Sequence, residues 1–319
     1  YKHFVAGVAG GTTATCILHP LDLIKIRFSV SDGLTTRPSY SSMWDLTRKV
    51  WRTNGVRGLY TGVTPNIIGA GLSWGLYFFF YNTIKSYLNS NRSSEPLTIS
   101  QYIGCGVASG SIVLAITNPV WVAKTRLCLQ YETQNKVYRG MSHTIIDLYK
   151  KDGVKGLYKG FVPGLFGTSH GAIQFLVYEK LKIWNAKRKG KSVEDKMATF
   201  DVLAMSAVSK LVAASATYPY QVVRSRLQDQ NRVYIGVTDV VKTTFRCPVY
   251  YETNEKFLSN LSKIQTITNP LATIMYNHMD SLINESWRGF YKGLSANLVR
   301  VTPACCITFY TYEMLMYYL

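Results

Sequence analysis

HPLDLIKIR, residues 19–27, closes an otherwise apolar stretch with a proline, an aspartate, a lysine and an arginine. A soluble helix seldom places Pro20 and Asp22 directly after an apolar run such as residues 4–18. Proline removes a backbone donor, and charge at membrane depth is costly. The pattern recurs as NPVWVAKTR at 118–126 and YPYQVVRSR at 218–226, so Pro20, Pro119 and Pro219 lie 99 and then 100 residues apart. A second element follows each copy: GVRGLYTG at 55–62, GVKGLYKG at 153–160 and SWRGFYKG at 286–293. Self-similarity at a fixed period decides the architecture before any local feature does. Three tandem modules are expected, over residues 1–95, 96–195 and 196–319.

Apolar residues make up 47% of the chain and mean hydropathy is only +0.01, yet the charge is segregated. Residues 61–84 and 98–123 contain no Asp, Glu, Lys, Arg or His. Each is long enough for the roughly 20 residues that a bilayer crossing takes. Residues 3–21 hold only His3 and His19, and residues 160–178 only His170, while 202–223 and 294–319 each keep one internal base, Lys210 and Arg300. Six spans are expected, two per module, lining a polar interior rather than a dry bundle.

Thirty-six Lys and Arg against 18 Asp and Glu give a net charge of +18. With no basic groove or recognition helix in the pattern, this balance points to anionic lipid and anionic substrate, not to nucleic acid. The six cysteines (Cys16, Cys105, Cys128, Cys247, Cys305, Cys306) form no CxxC pair and read as packing residues, with no metal site. No nucleophile–base pair or phosphate-binding loop appears, so neither an enzyme nor a prosthetic group is expected. The chain begins at Tyr1 rather than methionine, residues are expected ahead of it, and no signal or transit segment is legible.

Px[DE]xx[KR]x[KR] at a hundred-residue period, each copy followed by an aromatic-x-Gly element, resembles the mitochondrial carrier family. The resemblance implies an all-α membrane protein with six transmembrane helices, pseudo-threefold symmetry and a short matrix helix in each module. It implies a monomer in the mitochondrial inner membrane, with cardiolipin at the matrix side and alternating access to one central site. Pro20, Pro119 and Pro219 would then bend the odd-numbered helices toward the axis, where ion pairs between motifs close the cavity. Gly7 with Gly11, and Gly106 with Gly110, form GxxxG pairs suited to close helix approach.

Departures from that pattern carry most of the information. The acidic position holds Asp22, then Trp121, then Gln221, whereas the partner bases Lys25, Lys124 and Arg224 are all present. At most one family-type ion pair can form on the matrix side, and the cavity floor is expected to be net positive. Trp121 offers a ring face to a cation, worth ~0.5–2 kcal/mol, and Gln221 offers a hydrogen bond. The opposite, cytoplasmic gate is thinned too. Its sequence is Tyr81-Asn82 with Lys85, Tyr178-Glu179 with Lys182, and Tyr312-Glu313 with Met316.

The resemblance places substrate contacts at Gly69, at Phe166 with Gly167, and at Arg300. An arginine within an apolar helix is a functional-site candidate by default, and its planar fork suits carboxylate or phosphate. Lys210 reads either as a second cavity cation or as a base reaching an interface, and His170 as a polar lining residue. Residues 62–82, 159–175, 217–230 and 300–309 resemble the folate-carrying branch of the family, whose relatives carry flavin adenine dinucleotide. Trp121, Trp74 and Tyr77 would supply stacking faces for such a cargo. Trp at the second acidic position also resembles carriers of pyrimidine nucleotides and nicotinamide dinucleotides, and a non-transporting scaffold is the reading from another class.

The third module is longer than the others. Residues 140 and 160 are 20 positions apart, but the matching Gly236 and Gly293 are 57 apart, an excess of 37 that falls at about 247–284. Asn254, Glu255, Lys256, Asn260, Lys263 and Asn269-Pro270 make this insertion too polar for a seventh span. Closure entropy grows only slowly with loop length. Deleting residues 247–284 and rejoining the loop should therefore leave uptake into proteoliposomes intact. Loss of uptake from a variant still folded in the membrane would show the insertion to be a working part.

Overall fold

The computed structural model describes residues 2–31, 38, 40, 42–90, 98–131, 137–189, 199–232, 234–246 and 286–318. Among these, every regular element is helical. Three sets follow one another. The first is α1 (Lys2–Ser29), α2 (Met43–Leu59) and α3 (Val63–Ser90). The second is α4 (Ile99–Cys128), α5 (Met141–Leu157), α6 (Phe161–Leu165), a 3-10 turn (Phe166–Thr168) and α7 (Ser169–Lys189). The third is α8 (Thr199–Ala216), α9 (Tyr218–Gln228), α10 (Val237–Arg246), a 3-10 helix (Ser286–Tyr291) and α11 (Leu294–Tyr318). Helix α1 packs on α3 and α11, α3 on α4, α4 on α6, α7 on α8, and α8 on α11. The chain thus closes a ring in which its first and last helices touch.

Two features of the repeated sequence close that ring. Arg27, Arg126 and Arg226, the last base of each motif, are buried. Arg27 Nε donates to Cys128 O at 3.0 Å, Arg126 Nε to Gln228 O at 3.3 Å, and Arg226 Nε to Ser29 O at 3.1 Å. Each acceptor lies two residues after the corresponding arginine of the next set, among the carbonyls that a helix end leaves unpaired. The second feature is the glycine ending each aromatic-x-Gly element. Gly62, Gly160 and Gly293 take φ values of 84°, 77° and 83°. A Cβ would lie 3.3 Å from Lys124 O at Gly62, 3.2 Å from Arg224 O at Gly160 and 2.9 Å from Lys25 O at Gly293. Left-handed backbone and this close approach both call for glycine.

Large apolar side chains remain exposed along the outer helices, among them Trp74, Phe78, Phe79, Ile103, Val107 and Leu176. A surface this apolar fits lipid rather than water. Among the described residues, Val63–Ser90 and Ser100–Cys128 are the two helices long and apolar enough by length and composition to cross a membrane, against the six spans expected. Other long helices carry polar groups inside them, such as His19, Asp22 and Lys25 in α1 and Arg300 in α11.

Two sequence expectations change. Gly11 has nothing within 4 Å of a built Cβ, and Gly10 makes the close approach instead, 2.8 Å from Thr308 O of α11. The register of the first GxxxG pair is thus off by one residue, and the surroundings of Gly7 lie outside the described residues. The second pair does pack, Gly106 against the Tyr77 hydroxyl at 3.4 Å and Gly110 against Thr168 Cγ2 at 3.2 Å. Pro20 and Pro119 lie inside continuous helices, but Pro219 starts α9 after a break at Thr217 (φ −93°, ψ 0°). In that first turn a proline removes no needed donor. The insertion at about 247–284 lies outside the described residues. At its end, Ser286 stands where the first two sets have Gly55 and Gly153 at φ 60° and 62°, and there a 3-10 helix begins.

The arginine ring makes a stability prediction. Arg226→Ala would leave Ser29 O and the Thr244 hydroxyl, 2.9 Å from Nη1, without their donor. An orphaned buried polar group costs ~1–3 kcal/mol. The variant should melt several degrees lower in detergent, whereas Arg52→Ala on the exposed face of α2 should not. Equal melting temperatures would remove the ring from the account of stability.

Candidate functional site

The three proline motifs meet at one end of the ring, around a single carboxylate. Asp22 Oδ2 accepts from Asn66 Nδ2 at 3.1 Å and from Lys124 Nζ at 3.3 Å. Its other oxygen lies 3.0 Å from Arg300 Nε. That contact is one of charge, for the Arg300 Nε is buried and makes no hydrogen bond. Lys25 Nζ donates to Gln221 Oε1 at 2.5 Å and sits 5.8 Å from the centre of the Tyr218 ring. Arg224 Nη2 donates to Asn118 Oδ1 at 3.3 Å. Each motif base therefore reaches a neighbouring set. The sequence's allowance of one acid–base pair at this level is met by Lys124 with Asp22, and Gln221 serves as a neutral acceptor.

Counting the groups at this floor gives Lys25, Lys124, Arg224 and Arg300 against Asp22, or four minus one, a net +3. Little water is present to screen it, because Asp22 and Lys124 are buried. Charges in such surroundings act more strongly than on a wet surface. The floor attracts anions.

At the contact level the three junctions between sets differ. A Cβ on Gly69 would meet Val120 Cγ1 at 3.2 Å and Trp121 Cζ2 at 3.3 Å, so the glycine makes room for the Trp121 ring. A Cβ on Gly167 would meet the Tyr220 hydroxyl at 2.9 Å, so here too a glycine seats an aromatic of the next set. At the third junction, between α11 and α1, Arg300 faces Asp22 instead. Trp121 is held by its Nε1–H donating to Thr117 Oγ1 at 3.2 Å, and the Lys124 ammonium lies 5.3 Å from its ring centre. Trp121 thus covers a gate base. His170 Nδ1 is 3.0 Å from Thr217 Oγ1, Lys210 is partly buried on α8, and Phe166 is exposed beside Gly167. Trp74, also exposed, stacks on Phe78, and Tyr77 stacks on Tyr81.

The other mouth is described only in part. Among the described residues no ion pair joins Asn82, Lys85, Glu179 and Lys182, and Lys85 lies over the Tyr102 ring at 5.3 Å. The side chain of Glu313 is outside the described residues. Sequence reasoning missed the residues preceding the prolines. His19 Nε2 is 3.0 Å from Thr61 O, Asn118 Nδ2 donates to Leu157 O at 2.8 Å, and the Tyr218 hydroxyl donates to Lys292 O at 2.9 Å. Asn66, which bridges His19 and Asp22, was also missed. A polar side chain before each proline was the available signal.

A family model described as "Mitochondrial carrier protein" matches residues 1–92, 95–189, 195–248 and 259–319. The chain is 34% identical to folate transporter 1, chloroplastic, of Arabidopsis thaliana, over 98% of this chain and 94% of that protein. It is 33% identical to nicotinamide adenine dinucleotide transporter 1, chloroplastic, of the same plant, over 97% and 89%. It is 29% identical to the mitochondrial FAD carrier protein of Saccharomyces cerevisiae, over 98% and 96%.

Trp121 gives the test for this site. Trp121→Ala empties the socket opposite Gly69 and uncovers Lys124, and should cut uptake strongly, while Trp121→Phe should keep part of it. Trp121→Asp restores a carboxylate but adds a negative charge to a floor that attracts anions, and should also impair. Full activity in all three, measured as initial uptake rate at matched insertion, would make Trp121 mere filler.

Proposed function

This chain belongs to the mitochondrial carrier family, and from that premise we propose that it moves folate or flavin adenine dinucleotide across the mitochondrial inner membrane by alternating access. Six helical passages, α1, α3, α4, α6 with α7, α8 with α9, and α11, form the barrel in this reading. No bond is made or broken in the cargo. The observation that carries the reading is the floor, where four cations face one carboxylate beside the Trp121 ring. Such a floor suits a planar heteroaromatic ring with an anionic tail. The fork of Arg300 would hold the anionic end, with Lys210 and His170 higher in the cavity. A nicotinamide dinucleotide is the second reading, favoured by the transporter of that cofactor at 33% identity.

The protein works as a monomer within anionic lipid. A pocket of about 600 Å³, between the ends of α2 and α4 and the starts of α3 and α5, includes Arg57, Arg139 and Gly140. Two basic side chains beside helix starts suit a phosphate headgroup such as that of cardiolipin.

Uptake into proteoliposomes, with folate, flavin adenine dinucleotide, NAD and pyrimidine nucleotides offered separately, tests the assignment. Folate or the flavin should be taken up fastest, and Arg300→Ala should slow that uptake more than tenfold, since a buried charge pair that loses a partner costs several kcal/mol. Preference for NAD would establish the second reading. No uptake of any of them would favour a scaffold.

A further inference from the structure

Two cations from different helices pull on Asp22, Lys124 of α4 at 3.3 Å and Arg300 of α11 at 3.0 Å. We propose that Asn66 and His19 are positioning residues of the transport gate, a neutral imidazole fixing the Asn66 amide so that the amide holds Asp22 toward Lys124. The proposal rests on the transport reading and deepens it, by naming side chains that act on the gate without touching cargo.

Three observations carry it. First, the hydrogens along this chain of contacts are set by chemistry. Thr61 O can only accept, so His19 Nε2, 3.0 Å away, carries the hydrogen. Asn66 Nδ2 can only donate, so His19 Nδ1, 3.1 Å away, is bare and accepts. The other amide hydrogen goes to Asp22 Oδ2, also at 3.1 Å. Turning the amide over would set its oxygen against the carboxylate. Second, His19 and Asn66 are both buried, where an unpaired polar group is costly. The His19 ring also stacks on Tyr60, with centres 6.0 Å apart and planes at 28°, which fixes the direction of Nδ1. Third, the amide reaches the same carboxylate oxygen as the Lys124 ammonium, while Arg300 lies on the other oxygen. Two donors on Oδ2 orient the carboxylate toward α4.

The other sets separate this task from a shared structural one. Asn118 donates to Leu157 O and the Tyr218 hydroxyl to Lys292 O, as His19 does to Thr61 O. Asn118 also accepts, through Oδ1, from the motif base Arg224. His19 accepts from the amide that holds the motif acid. Four residues after the closing glycines Gly62, Gly160 and Gly293 stand Asn66, Gly164 and Asn297. In the second set, where Trp121 replaces the acid, that amide is missing too.

Melting temperatures of the purified protein in detergent, without cargo, test the proposal. Asn66→Ala should melt at least about 3 °C below the parent. On an Asp22→Ala background the same change should cost less than half as much, because its effect passes through the carboxylate. Equal losses on both backgrounds make Asn66 a packing residue and overturn the proposal. Residues native to the other sets test His19, and they decide the matter if Asp22→Ala does not fold by circular dichroism. His19→Asn can both donate and accept, as Asn118 does, and should melt near the parent. His19→Tyr keeps a donor for Thr61 O, as Tyr218 has for Lys292 O, but offers Asn66 no ring nitrogen, and should melt like Asn66→Ala. Parent-like stability in His19→Tyr, or a loss in His19→Asn as large as in Asn66→Ala, overturns the proposal. Uptake into proteoliposomes of folate, flavin adenine dinucleotide and NAD adds a kinetic reading. For a probe that is transported, Asn66→Ala should lower the maximal rate at least about fivefold and leave KM within about twofold. A raised KM at unchanged maximal rate makes Asn66 a cargo contact and also overturns the proposal. If no probe is transported, the cargo assignment fails, and the melting temperatures still decide the positioning.

Discussion

Three buried arginines, each donating to the helix-end carbonyl of the next set, hold the molecule together as a ring. Arg27 reaches Cys128 and Gln130, Arg126 reaches Gln228, and Arg226 reaches Ser29. Burying a guanidinium is unfavourable unless its donors are satisfied. The side chains meet that condition with neighbours: Arg27 lies over the Tyr131 ring at 5.2 Å, Arg126 donates to the Tyr138 hydroxyl, and Arg226 donates to Thr244. Because the carbonyl that accepts from each Nε belongs to the next set, no set satisfies its own arginine completely. The cycle closes over all three sets, and the hundred-residue period is its trace in the sequence.

The same handing-on governs the layer above, with weaker chemistry. Lys124, Lys25 and Arg224 point to partners in other sets, but only one of those partners is charged. Neutral acceptors such as Gln221 and Asn118 hold a cation without cancelling its field. The floor is thus latched and still attractive to an anion, two properties that a full set of acids would not combine. A latch made of few ion pairs is also easier to open, because each missing pair is one less contact made only in the closed state.

The fold was legible where the sequence repeated itself. The prolines, the two motif bases and the closing glycine placed the helices, their order and the meeting point of the three motifs. Pairing was legible only at Asp22, where charge forces a choice. It was illegible at Arg224, which reaches Asn118, because Asn118 sits before the proline and outside the pattern of acids and bases. The role of Gly69 and Gly167 was hidden for a related reason. A glycine in a sequence states that a side chain is absent, and only the fold shows that Trp121 and Tyr220 use the space. The slip from Gly11 to Gly10 has the same origin, since the helix phase, not the spacing from Gly7, decides which glycine faces α11.

Symmetry in the lower ring and asymmetry in the upper one divide the work of the molecule. The Nε contact of the ring arginines repeats at every junction, so it does not distinguish one junction from another. Selection comes from the layer that differs. Aromatic rings in glycine sockets are held by dispersion and by exclusion of water, forces that are indifferent to an arriving charge. The Arg300–Asp22 contact responds to charge, and its donor geometry is unfulfilled in the closed floor. Under the proposed function, a flat ring would lie beside Trp121 and an anionic tail toward Arg300. Threefold architecture and an asymmetric floor are compatible because the acidic position holds Asp22 in one set and Trp121 and Gln221 in the other two.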